Sequence, residues 1–196
     1  MNAIYPSIGE LFRLPFVLDI VDNLMVTGDI TKEDFKPINV AFDDLTRQWK
    51  IDKEFQLLDL VAQGYDSKEL PPLKTMFNLA TTFLYCSLCS RFLRHPQVLM
   101  HSCTRTFNYF EADLLKDPRS NEVLWNSDKR LGVEKAHVEF IGGLLRMVGS
   151  DPKTTKVQEM DVLDPIFECV PCNDIREGRA TMNWKTTVIP LFFLLC

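Results

Sequence analysis

The stretch that decides the reading is Thr82-Phe83-Leu84-Tyr85-Cys86-Ser87-Leu88-Cys89, followed after a short loop by His101-Ser102-Cys103. From Cys86 to Cys103 it gathers three of the six cysteines and two of the three histidines, His95 and His101, of a 196-residue chain. Cysteines spaced as Cys86-x-x-Cys89 form a knuckle, a tight turn that points two thiolates at one ion at about 2.3 Å. Tetrahedral zinc needs two more soft or borderline ligands. His101 and Cys103 supply them, as C-x2-C-x11-H-x-C. An extended backbone through His101 and Cys103 aims both side chains the same way, because strand side chains repeat with period two.

The second half of this motif lacks the three-to-five spacing of the best-known fingers. A plainer reading therefore stands beside zinc, in which these are free thiols or small buried hydrophobes. His95 competes as a fourth ligand, although the following Pro96 suits it to a loop. Cys169-x-x-Cys172 repeats the knuckle without a second pair, and only Cys196 or His137 is left to complete it. We expect an incomplete half-site there.

Outward from this centre the chain reads as helical. Ser7 is placed to cap a helix carrying Ile8, Leu11 and Phe12, and Pro15 should end or kink it near Leu14. Thr31-Lys32-Glu33-Asp34 sets a capping hydroxyl before an acidic first turn. Phe35, Ile38, Phe42, Leu45, Trp49, Phe55, Leu58 and Val61 then recur at three- and four-residue steps toward Gly64, the pattern of one long amphipathic helix or of two in sequence. Its charged face (Asp43, Asp44, Arg47, Lys50, Asp52, Lys53, Glu54) reads as solvated. Residues 63–72 form a polar, proline-terminated linker. Beyond it come a short helix or apolar strand up to Leu84, a turn at Asp117-Pro118-Arg119-Ser120, and a helix from Gly132 to Val148. His137 falls on the apolar stripe of that helix, which favours a core histidine over a ligand. Thr155 to Met160 suggests another helical turn, and Phe167-Glu168-Cys169 a short strand.

The fold class expected is mainly α with small β zinc-knuckle elements: a helical N-terminal lobe (1–68), a Cys/His-rich α+β lobe with its following helix (72–149), and a second, incomplete CxxC unit (150–196). A formal net charge of -5 argues against whole-protein attraction to nucleic acid or anionic membrane. The N-terminus lacks a signal-peptide pattern, because Glu10, Arg13 and Asp19 interrupt its apolar run. An intracellular, cytoplasmic or nuclear location follows, and in a reducing compartment paired cysteines read first as metal ligands or redox centres. No glycine-rich phosphate loop, HExxH motif or paired-carboxylate constellation is present, so no enzyme is expected.

Four sets of residues resemble a known group. They are Leu79 to Cys89 with His95 to Cys103, Leu14-Pro15-Phe16-Val17, Ser150-Asp151-Pro152 through Asp161, and Phe167-Glu168-Cys169-Val170-Pro171-Cys172 with Met182-Asn183-Trp184. They resemble the uncharacterised F-box-associated, CxxC-containing proteins of mushroom-forming (basidiomycete) fungi. The resemblance implies a protein partner, either a ubiquitin-ligase scaffold or a substrate, and transfers no residue-level site. The chain departs from the group in having no clear upstream F-box. It departs again after Trp184, where the apolar tail Ile189 to Cys196 reads as a non-native end prone to aggregation. The leading function is thus a protein-interaction module held by a structural zinc. One alternative is a zinc-finger nucleic-acid binder using Arg91, Arg94 and Arg105. Another is a thiol-dependent enzyme using Cys86 or Cys169.

Overall fold

The computed structural model describes residues 4–27, 31–65, 71–105, 124–173 and 178–188, without the side chains of residues 25–27, 73, 74 and 172. Secondary structure is mainly helical with small antiparallel sheets. The chain divides into two units, neither continuous in sequence: residues 1–59 with 96–131, and residues 60–95 with 132–196. The three segments expected from sequence were consecutive. The linker (66–70), the turn (117–120) and the tail (189–196) fall outside the described residues.

In the first unit, α1 (Ile8–Leu11) starts at Ser7, whose hydroxyl accepts the Glu10 N–H at 3.3 Å. Pro15 opens α2 (Pro15–Thr27). At that position its missing N–H costs nothing, since the first turn has no intrahelical acceptor for it. The break expected at Leu14 is therefore a change of helix. Thr31 and Asp34 cap reciprocally, with the Thr31 N–H donating to the Asp34 carboxylate at 2.8 Å. That cap leads through a 3-10 turn into α3 (Lys36–Ala62), a single long helix.

Glu10 is only 4% exposed and organises this unit. Its carboxylate accepts the Trp49 indole N–H at 2.8 Å and the Trp125 backbone N–H, and it pairs with the Lys53 ammonium at 3.0 Å. A carboxylate this deep is tolerable because its oxygens meet donors and a cation. Lys53, grouped with the solvated face in the sequence reading, is instead turned inward, its side chain 11% exposed. It also lies 5.9 Å from the centre of the Trp125 ring.

The second unit contains α4 (Leu73–Met76), β1 (Leu84–Cys86), β2 (Arg91–Leu93), α5 (Lys135–Met147), α6 (Val157–Leu163), β4 (Ile166–Glu168), β5 (Thr181–Asn183) and α7 (Trp184–Thr187); β3 (Leu131–Gly132) is a two-residue strand before α5. Ala80, Phe83, Ile141, Leu144, Leu145, Met160, Phe167, Trp184 and Val188 form one apolar core. Full burial of each large aliphatic side chain there stabilises by about 1.5–3 kcal/mol. Backbone bonds from Ala80 to the Thr155 carbonyl (2.9 Å) and from Val157 to the Asn78 carbonyl (2.8 Å) seat the start of α6. β4 and β5 pair antiparallel with Phe167 opposite Met182. Phe167 turns inward while Ile166 and Glu168 face out, the alternation a half-buried strand requires.

Candidate metal centre

Cys86 and Cys89 sit on a tight hairpin. β1 pairs with β2 in the register Leu84–Leu93, Tyr85–Phe92 and Cys86–Arg91. The chain reverses between them through Ser87 to Ser90, where the Ser90 N–H donates to the Cys86 carbonyl at 2.8 Å. Closing the turn puts Ser90 in the left-handed region at φ 56, which costs a residue with a Cβ about 1–2 kcal/mol. The Ser90 backbone bond and a hydrogen bond from the Tyr85 hydroxyl to the Ser90 hydroxyl (3.2 Å) offset that cost. Cys86 is fully buried and Cys89 partly exposed.

His101 and Cys103 arrive by a different route from the one expected. His101 itself is extended (φ -68, ψ 123), but it lies between two 3-10 turns, Gln97–Met100 and Ser102–Thr104. The strand reading of His101-x-Cys103 is therefore corrected. Thr104 folds back and donates both its N–H (3.1 Å) and its hydroxyl (2.7 Å) to the His101 carbonyl, which curls the backbone at Cys103. The Arg130 guanidinium donates to the Cys103 carbonyl and fixes the turn from its other side. Buried Val98 and Leu99 anchor the turn before it.

The four candidate ligand atoms of Cys86, Cys89, His101 and Cys103 all lie within 4.8 Å of one another. Ligands on a tetrahedron about 2.0–2.3 Å from a central zinc are about 3.3–3.8 Å apart, so a small contraction closes the set on one ion. The donor chemistry agrees: three thiols and one imidazole form the Cys3His set of structural zinc. The four residues can hold a metal ion, and their soft sulfur donors fit zinc better than calcium or magnesium, which take oxygen ligands. No disulfide joins the three cysteines.

The other residues singled out from sequence go elsewhere. His95 stacks on Phe77, ring centres 4.6 Å apart, which agrees with its reading as a loop residue. His137 is buried in the second unit, ringed by Phe92, Phe83 and Phe140. Burial, and after it the Arg94 guanidinium, lower its pKa from 6.5 to about 4, so the ring is neutral at physiological pH. Cys169 is partly exposed, forms no disulfide and joins no group of potential ligands among the described residues. The Cys172 side chain and Cys196 lie outside those described.

Sequence reasoning missed Glu10, because its partners Trp49 and Trp125 are 39 and 115 residues away. The nucleic-acid alternative counted Arg94 among its candidate contacts. The guanidinium instead lies 4.0 Å from the Phe83 ring centre and 5.5 Å from that of Trp184. Arg105 similarly lies 5.6 Å from the Trp49 ring and donates to the Tyr5 carbonyl. No helix among the described residues is long and apolar enough to cross a membrane. No family model, curated protein or solved structure matches the chain.

Proposed function

We propose that this chain is a non-enzymatic protein-interaction module whose cysteine stretch is made rigid by one structural zinc ion. The observation that carries the reading is the convergence of Cys86, Cys89, His101 and Cys103, drawn from a short hairpin and two 3-10 turns. Such short elements bury little apolar surface of their own, and zinc supplies the missing folding free energy directly. Zinc-bound thiolates are also poor nucleophiles until the ion is removed, which favours a structural over a catalytic role for Cys86. The partner class is that implied by the resemblance, a substrate protein or a ubiquitin-ligase scaffold. Nucleic-acid binding is disfavoured by the engagement of Arg94 and Arg105 with aromatic rings.

Metal analysis of purified chain tests the reading. About one zinc per chain is expected, together with a lower melting temperature after chelation. Cys86→Ser and Cys103→Ser should lose both the metal and the thermal response, while Cys169→Ser keeps both. A metal-free chain whose melting is indifferent to chelator and to added zinc would overturn it.

A further inference from the structure

His137 occupies a place where a second ring proton is poorly tolerated. Its ring centre lies 4.0 Å from Phe92, 5.4 Å from Phe83 and 6.3 Å from Phe140. Its Nε2 is buried without a hydrogen-bond partner among the described residues, so no acceptor waits for an added N–H. The charged group facing it from beyond β2 is Arg94, which lies over the same Phe83 ring. On α6, Asp161 acts on Arg94 and pairs with Lys185 of α7 at 3.6 Å. On α5 itself, Glu134 contributes its carbonyl to the His137 N–H at 3.0 Å. An imidazolium would gain attraction from the ring faces, but that is smaller than the cost of desolvating an ion beside a guanidinium.

The two rings nearest His137 belong to the cysteine hairpin and its approach. Phe92 is the middle residue of β2, opposite Tyr85, and Phe83 immediately precedes β1. Cys86 ends β1 and Cys89 lies in the turn that follows. We propose that His137 is an acid-sensitive latch on this hairpin. Neutral, it holds Phe83 and Phe92 in place. Protonated, it leaves their company, and the turn bearing Cys86 and Cys89 loses the support that keeps both sulfurs aimed at zinc. This inference rests on the zinc reading above and names how that site is regulated.

The sign follows from linkage. In the open state His137 has its ordinary affinity for a proton, and in the closed state a lower one. The latch is therefore fully closed above the ordinary value of 6.5 and loses hold as pH falls toward about 4.

The test uses the full zinc-loaded chain, dialysed at steps from roughly pH 7.5 to pH 4, with retained zinc measured by atomic emission. His137→Phe fills the same apolar pocket and cannot take a proton. Its half-release point should lie about half a pH unit or more below that of the wild type. His137→Gln, polar but not titrating in this range, should shift the same way and decides the matter if the Phe variant does not fold. Coincident profiles overturn the latch while leaving the zinc site standing. A chain holding no zinc near pH 7.5 overturns the zinc reading, and the latch with it.

Discussion

The first unit keeps a charge at its centre and the second refuses one. In the first, the Glu10 carboxylate is buried, yet an indole N–H, a backbone N–H and the Lys53 ammonium surround it. In the second, the buried ionisable group is His137, packed among phenylalanine rings beside a guanidinium, and it stays neutral. Depth is nearly the same in both cases, with Glu10 4% and His137 6% exposed. What differs is the supply of partners. A buried group keeps its charge where hydrogen-bond donors and a counter-ion are built around it, and gives it up where aromatic rings and a like charge surround it.

The largest expected effect breaks the charged centre. Glu10→Ala leaves the Lys53 ammonium inside without its counter-ion and should cost about 3–5 kcal/mol in denaturant unfolding followed by tryptophan fluorescence. Replacing both partners, as Glu10→Leu with Lys53→Met, should cost clearly less than the single change, because no unpaired charge remains. If the double variant is as unstable as Glu10→Ala, the unit depends on shape at this point and not on charge.

A smaller effect is expected in the second unit, where packing replaces pairing. Gly64 is buried against Val133, and a Cβ added there would overlap a Val133 methyl carbon. Gly64→Ala should therefore lose about 1–3 kcal/mol through overpacking. Val133→Ala in the same chain should recover part of that loss in the same unfolding measurement. No recovery would mean that the glycine is required by the backbone and not by the contact.

The smallest effect sharpens the first unit again. Ser7→Ala removes the hydroxyl that accepts the Glu10 N–H and should cost about 1 kcal/mol. Combined with Glu10→Ala it should add less than its own value, since the cap then steadies a turn that no longer positions the carboxylate. Strict additivity in a double-mutant cycle would separate the cap from the charged centre.

Local signals were legible in the sequence where physics acts over a few residues. Ser7 before α1, Pro15 at the start of α2 and the Thr31–Asp34 box were readable because capping bonds span three residues. The long period of α3 and the apolar stripe of α5 were equally plain, and so was the spacing of Cys86, Cys89, His101 and Cys103. The route by which His101 and Cys103 reach the cluster was not legible. A strand suits the two-residue step from His101 to Cys103, but the backbone there is set by 3-10 turns that the Thr104 and Arg130 hydrogen bonds hold.

By itself the sequence determined the helix starts, the helical periods and the set of sulfur and imidazole donors, because each depends on neighbours within a turn or a knuckle. Tertiary structure alone decided that Glu10 and Lys53 turn inward, that Arg94 lies on aromatic rings, and that the chain groups into two discontinuous units. Those outcomes depend on side chains brought together from tens of residues apart. A buried charge or a stacked cation has no local pattern, since its stability comes entirely from partners that folding supplies.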